Sequence, residues 1–322
     1  MVSKNIKASI GILTGPTSTG KTSLALKWSS EKPHIEIINA DSLLVYRGLD
    51  IGTAKPQAHE KCVPHHLLDL VNPDESFTAA DFVKHTQDAI EDIHRRGKRA
   101  LIVGGSGFYL KALLFGLWQM KAPENLTENN SLRTNEELYQ ELFQKDPLSA
   151  HRIGMHDRYR LVRSVDLLHT QGKTPSQLQS ELSSSMDERF ELWIIDRDPK
   201  ELQKRIEVRT ELMLQTGLLD ETQRLITSYP TSFALKAVGY AQVSSYFYYR
   251  PQVQGRKIAP GLKGLSDEIQ LATRQLVKRQ RTWLKGQFLK SGHPKIQKFQ
   301  LEEDASKLQK VFESMYDDEN MS

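Results

Sequence analysis

The segment Gly15-Pro16-Thr17-Ser18-Thr19-Gly20-Lys21-Thr22 constrains this chain of 322 residues more than any other, because it has the form G-x-x-x-x-G-K-[ST]. The apolar run Ser9 to Leu13 before it reads as a short buried strand. Lys21 to Ser30 after it reads as a helix carrying Leu24, Ala25 and Trp28. A strand, a glycine-bounded turn and a helix together make a phosphate cradle. Backbone N–H groups wrap the anion, the helix presents its positive dipole end, Lys21 adds a point charge, and the Thr22 hydroxyl is placed to ligate magnesium. The whole loop, Gly15, Pro16, Thr17, Ser18, Thr19, Gly20, Lys21 and Thr22, is the expected diphosphate- or nucleotide-binding site. The pattern leaves open whether the phosphates belong to ATP, GTP or another diphosphate.

Further apolar runs extend the pattern. Ile35 to Ala40 ends at Asp41, and Ala100 to Val103 ends in Gly104-Gly105-Ser106-Gly107. Thr78 to Arg96, between them, has helical spacing, and a further helix is expected from about Tyr109 to Leu117. Strands alternating with helices predict an α/β fold, a parallel sheet core flanked by helices. Ligands of such sheets bind outside the carboxyl ends of the strands, which places Asp41 and Ser106 near the phosphate loop. Asp41 is suited to three roles: general base, magnesium-linked carboxylate, or cap of the segment that follows.

From Met120 to Arg189 the chain turns polar and loses its β-branched runs. Glu136 to Phe143 and Arg158 to Leu168 have helical spacing, which predicts a mainly helical insertion. Leu192 to Ile195 resumes a strand, and a helix follows from Lys200 to about Met213. The expected organisation is a first part of the core over 1–119, an insertion over 120–190, a continuation of the core over 191–300 and a loosely ordered acidic tail over 301–322. Cys62 is the single cysteine, which excludes a disulfide framework and a multi-thiolate zinc site, and reads as a packed core or loop residue. His65 and His66 lack paired metal-ligand spacing and read as structural. The N-terminal apolar run is too short for a signal peptide or a membrane span, so a cytoplasmic protein with no membrane partner is expected.

Charge is unevenly distributed. The net charge of +4 hides a block from Gly255 to Gln300 with eleven Lys or Arg and two acidic residues, followed by a tail with two basic and seven acidic residues. Within the block, Arg274, Lys278, Arg281 and Lys285 share one helix face, with Ile269, Ala272, Leu276 and Trp283 opposite. A plain solvated face is one reading of such a stripe; because repulsion along it is offset by an anionic partner, contact with a nucleic-acid backbone is the favoured one.

Together these segments resemble the tRNA dimethylallyltransferases, also called tRNA isopentenyltransferases. The resemblance rests on GPTSTGKT (15–22), DSLLVYRGLDIGTAKP (41–56), HHLLDLVNPDESFTAADF (65–82) and VGGSGFYLKALLFGL (103–117). It continues through HDRYRLVRSVDLL (156–168), RTELMLQTGLLDE (209–221), AVGY (237–240) and TRQLVKRQRTWLK (273–285). It implies transfer of a dimethylallyl group from dimethylallyl diphosphate to N6 of adenosine 37, next to the tRNA anticodon. In that reading Asp41 is the general base and Ser106 orients the reacting groups at a position usually held by threonine. The phosphate loop, with Mg2+ on Thr22, stabilises the leaving diphosphate, and Lys236 stands where some members have an arginine in diphosphate or tRNA contact. The implied tRNA contacts are Asp41, Ser42, Leu43 and Leu44; Tyr159, Arg160, Leu161, Val162 and Arg163; Lys236 to Ala241; and Arg274, Lys278, Arg279, Arg281 and Lys285. The expected partner is the anticodon stem-loop of tRNA, bound by a monomer. Two alternatives stand beside this: a prenyltransferase for free adenine nucleotides, and an RNA-binding P-loop nucleotide switch without covalent chemistry.

Overall fold

The computed structural model describes residues 9–56, 63–116, 129–130, 132–181, 185–248, 252–253, 256–257 and 259–317. Cys62 and Leu117 lie outside them. The chain divides into two compact units, Met1–Ala112 with Glu188–Ser322, and Leu113–Asp187.

The first unit is built on β1 (Ile10–Thr14), β2 (Ile35–Asn39), β3 (His65–His66), β4 (Arg99–Val103), β5 (Phe190–Asp196) and β8 (Ile296–Gln300). These pair in the order β3-β2-β4-β1-β5-β8, every pair parallel. A small antiparallel hairpin, β6 (Gln252–Val253) with β7 (Arg256–Lys257), stands apart. Every residue of β1, β2 and β4 is buried, the signature of a parallel sheet covered on both faces, and their nearly unbroken apolar runs follow from that.

The helices of this unit that precede the insertion are α1 (Lys21–Glu31), α2 (Ala79–Arg95) and the start of α3 (Gly107–Phe115). Thr78 and Asp81 close a capping box at the start of α2, which buries Phe82, Ala89, Ile90 and Ile93 as their spacing predicts. The second unit holds α4 (Asn135–Lys145), α5 (Pro147–Ile153), α6 (Arg158–Gln171) and α7 (Pro175–Glu181). Asp146 and Asp157 cap α5 and α6, and the helices enclose Leu138, Leu142, Ala150, Leu161, Val165 and Leu168. The chain then adds α8 (Pro199–Gln215), α9 (Leu218–Ser228), α10 (Tyr240–Phe247), α11 (Gly261–Gln287) and α12 (Leu301–Tyr316) to the first unit.

The acidic tail is not loose as far as Asp317. Residues Leu301–Tyr316 form α12, which buries Leu308, Phe312, Met315 and Tyr316. Phe312 stacks on Trp28 at 4.2 Å, and the Tyr316 hydroxyl accepts from the Gly11 N–H (3.0 Å) while donating to the Ala100 carbonyl (2.6 Å). One side chain thus ties β1 to β4. Glu302, Glu303 and Asp304 occupy the first turn, where negative charge favours the helix dipole. Net charge argued for disorder; the spacing of the apolar residues outweighs it. No helix among the described residues is long and apolar enough to cross a membrane.

Candidate active site

The phosphate loop leaves β1 at Thr14 and enters α1 at Lys21. Ser18 (φ 64°) and Gly20 (φ 96°) take left-handed backbone conformations that turn the loop over, and the glycine adopts its one without a Cβ penalty. The N-terminus of α1 has no side-chain cap among the described residues, which leaves its first N–H groups available to an anion. The Lys21 ammonium folds back onto the carbonyls of Gly15 (2.8 Å) and Pro16 (2.7 Å). Burial brings it down to about 8; Asp41 pulls it up and Arg209 pushes it further down. The Ser18 hydroxyl is buried without a hydrogen-bond partner among the described residues.

Asp41 follows β2 and is held by Asn39. The Asn39 side chain accepts the Asp41 N–H (2.9 Å) and donates to the Asp41 carbonyl (3.1 Å) and to the Leu67 carbonyl (3.0 Å). One Asp41 carboxylate oxygen accepts the Leu43 N–H at 3.0 Å, a local turn of the kind that a cap makes. The other oxygen takes no hydrogen bond among the described residues, which leaves it free to accept a proton. Ser106 sits next door: its hydroxyl accepts the Ser42 N–H (2.8 Å) and donates to the Ser42 hydroxyl (3.1 Å), while its N–H donates to the Ala40 carbonyl (3.1 Å). The ends of β2 and β4 are stitched together there. Gly104 makes this approach feasible, since a Cβ on it would lie 2.2 Å from the Ala40 backbone.

Several further residues shape the site. Arg197 and Arg205 donate to the carbonyls of Thr19 (2.8 Å) and Ser18 (2.9 Å), and Arg209 donates to the Thr53 carbonyl (3.3 Å). Burial pulls Arg209 down, and Asp41 offsets part of that. The spacing of Arg205 and Arg209, four apart on the helix after β5, is the one pattern that points to them. Glu221 of α9 accepts the N–H groups of Asp50 (3.0 Å), Ile51 (2.8 Å) and Gly52 (3.0 Å) and the Tyr240 hydroxyl (2.7 Å), pinning the segment after Asp41. Gln280 of α11 accepts the Thr17 N–H at 2.9 Å.

The cationic stripe is only partly free. Lys278, Arg279 and Lys285 are exposed and Arg274 is partly so, but Arg281 donates twice to Asp196 (3.1 and 2.8 Å) and once to the Arg197 carbonyl (2.8 Å). Leu276 and Trp283 are likewise not the buried positions: Val277 and Leu284 are, with Ile269 and Ala272. Over a helix of 27 residues, the face that packs drifts from the one drawn on a short wheel. Trp283 packs instead on Gly107, where a Cβ would meet its ring at 2.3 Å.

Ser42, Leu43 and Leu44 lie on the partly exposed segment after Asp41, where Leu43 rests on the apolar cluster that contains Val45 and Tyr240. In the second unit Tyr159, Arg160 and Arg163 are exposed, with Arg160 3.2 Å from Asp157. Leu161 is not available: it is fully buried in the helical core, against which Val162 also packs. Lys236 is exposed on a short 3-10 turn, its ammonium 5.5 Å from the centre of the Phe233 ring.

A family model described as IPP transferase matches residues 44–287. The chain belongs to the IPP transferase family. One relative in that family, "tRNA dimethylallyltransferase 1" of Citrifermentans bemidjiense, is 39% identical over 293 residues, covering 88% of this chain and 91% of the relative. The full-length tRNA isopentenylpyrophosphate transferase of Bacillus halodurans is similar in structure, with a TM-score of 0.66 and 26% identity over 96% of this chain and 97% of that one. A eukaryotic dimethylallyltransferase acting on tRNA shares the fold, with a TM-score of 0.80 and 24% identity over 95% of this chain and 78% of that one.

For an IPP transferase, the donor set around the loop defines what metal it suits. No group of three or more His, Cys, Asp or Glu that could hold a metal occurs among the described residues. The Thr22 hydroxyl is exposed and makes no hydrogen bond among them. One hydroxyl beside an anion cradle fits magnesium, which keeps several waters and takes its other ligands from substrate phosphates.

Proposed function

We propose that this IPP transferase moves a dimethylallyl group from dimethylallyl diphosphate to N6 of adenosine 37 in tRNA. The observation that carries the reading is the placement of Asp41, with one carboxylate oxygen unbonded, at the same sheet edge as the phosphate loop, where its charge is felt by both Lys21 and Arg209. The allylic C–O bond breaks and its electrons leave with the diphosphate, which the loop N–H groups and Lys21 receive. The adenosine N6 forms the new C–N bond, and its proton passes to Asp41. Magnesium, held by Thr22, water and substrate oxygens, would supply further positive charge to the leaving group. Ser106 keeps Asp41 in place through Ser42. The target base must leave its stack, so the RNA is held by exposed cations, Lys278, Arg279 and Lys285 among them. A monomer in the cytoplasm, where tRNA is found, completes the reading.

The test is incubation of the chain with labelled dimethylallyl diphosphate, magnesium and tRNA carrying A36-A37-A38, with AMP as a parallel acceptor. Label in tRNA supports the proposal, and label only in AMP selects the adenine-nucleotide reading. No product with either overturns both and leaves an RNA-binding switch. Asp41→Asn is expected to lower turnover by roughly 100- to 10,000-fold, the usual worth of a general base.

A further inference from the structure

The basic helix α11 carries one uncharged polar residue into the phosphate loop. The Gln280 Oε1 accepts the Thr17 N–H at 2.9 Å. Because an N–H can only donate, this contact fixes which end of the amide is oxygen and turns the NH2 end the other way. That end lies against Gly105: a Cβ there would be 3.4 Å from Gln280 Nε2, 3.5 Å from the Gly15 carbonyl and 3.8 Å from Lys21 Nζ. The bare face of Gly105 therefore looks onto two nitrogen donors, the Gln280 amide and the Lys21 ammonium, between the two glycine-rich loops. Arg281, the next residue, holds Asp196 and the Arg197 carbonyl, and Arg197 in turn holds the Thr19 carbonyl. Two consecutive residues of α11 thus reach both halves of the phosphate loop, one directly and one through Arg197.

We propose that Gln280 is a positioning residue of the diphosphate site: it holds the Thr17 backbone by accepting its N–H and turns its own amide nitrogen to the face of Gly105 that Lys21 also lines. The inference rests on reading the loop as a diphosphate cradle. Gln280 has no charge, so it contributes nothing to the counterion release that governs RNA affinity, although it sits among residues that do. Gly105 is part of the same device. A methyl at that position would come within 3.4 Å of the Gln280 amide nitrogen, at the near limit of ordinary van der Waals contact.

The experiment compares wild type with Gln280→Met, using binding of inorganic diphosphate and steady-state transfer to tRNA. Loss of one hydrogen bond of about 0.5–1.5 kcal/mol corresponds to roughly 2- to 13-fold weaker diphosphate binding in Gln280→Met, with KM for dimethylallyl diphosphate rising in parallel. The tRNA dissociation constant and its salt slope are expected to stay at wild-type values. Diphosphate binding by Gln280→Met equal to wild type, or a loss confined to tRNA affinity, overturns the proposal. Thermal melting separates misfolding from the effect. If wild type binds diphosphate but transfers nothing to tRNA, the functional reading falls while the diphosphate comparison still decides this one.

Discussion

Replacing Glu221 with Gln isolates how the segment after Asp41 is held. The buried carboxylate accepts four hydrogen bonds, two on each oxygen: Asp50 and Ile51 N–H on one, Gly52 N–H and the Tyr240 hydroxyl on the other. A glutamine keeps only one acceptor oxygen, so two donors must face its NH2 group. The better orientation keeps the Asp50 and Ile51 bonds, because the Tyr240 hydroxyl can rotate and accept from the new NH2, leaving the Gly52 N–H as the one buried orphan. That orphan costs about 1–3 kcal/mol, and the retained bonds lose their charge assistance, for a total of roughly 2–4 kcal/mol. Urea unfolding measures it. The same variant is expected to lower transfer to tRNA at temperatures where it is fully folded, since the 50–52 backbone continues the segment that begins at Asp41. Relaxation there is limited: a Cβ on Gly52 would fall 2.5 Å from the Tyr240 ring, so the two are already in close contact. A Glu221→Gln protein within about 0.5 kcal/mol of wild type would refute the argument, because it would mean the four bonds contribute no more than ordinary surface contacts.

Three further outcomes are expected. Because the Lys21 ammonium titrates at about 8 in the free protein, kcat/KM for dimethylallyl diphosphate should fall as pH rises through that value, while bound diphosphate favours the charged form and moves the kcat limb to higher pH; a flat kcat/KM profile up to pH ~9.5 would contradict this. Replacing Lys278, Arg279 and Lys285 together with alanine should weaken tRNA binding and reduce the slope of log affinity against log salt by about 2, read by filter binding at several salt concentrations, whereas an unchanged slope removes them from the RNA footprint. Glu36, enclosed by Arg96, Lys98 and His66 (2.7 Å to the last), has a carboxyl held well below its ordinary range, chiefly by the Arg96 hydrogen bonds. Its contribution is present above the unfolded value and is lost as pH falls below it, so Glu36→Gln should flatten acid unfolding by on the order of 2 kcal/mol, the exposed cations limiting the figure, and a variant with wild-type acid stability would refute this.

The parts of the fold and site that were legible in the sequence share one cause: their physics is local. A strand buried on both faces needs a continuous apolar run, a phosphate loop needs glycines flanking its turn, and Asp41 and Ser106 stand immediately after strands, so topology carries them to one edge. The helix α12 obeyed the same rule, since Leu308, Phe312 and Met315 have helical spacing; only a reading by charge concealed it. What was not legible depends on partners far away in the chain. Glu221 meets Ile51 across 170 residues and Gln280 meets Thr17 across 263, and neither end shows a pattern that names the other.

Arg281 makes the point about charge. On a helical wheel it is equivalent to Lys278 and Lys285, yet Asp196 at the end of β5 holds its guanidinium at 2.8 Å and Lys298 lies 3.6 Å from the other oxygen of the same carboxylate. A cation paired in this way releases fewer counterions when RNA binds than an exposed one does, so the basic block overstates the footprint. Removing Arg281 leaves Asp196 short of one partner and frees the carbonyl of Arg197, the residue whose guanidinium holds the Thr19 carbonyl. The stripe therefore divides by what lies under it: Lys278, Arg279 and Lys285 are exposed, as the proposed RNA contact requires, while Gln280 and Arg281 turn inward to the phosphate loop and its support.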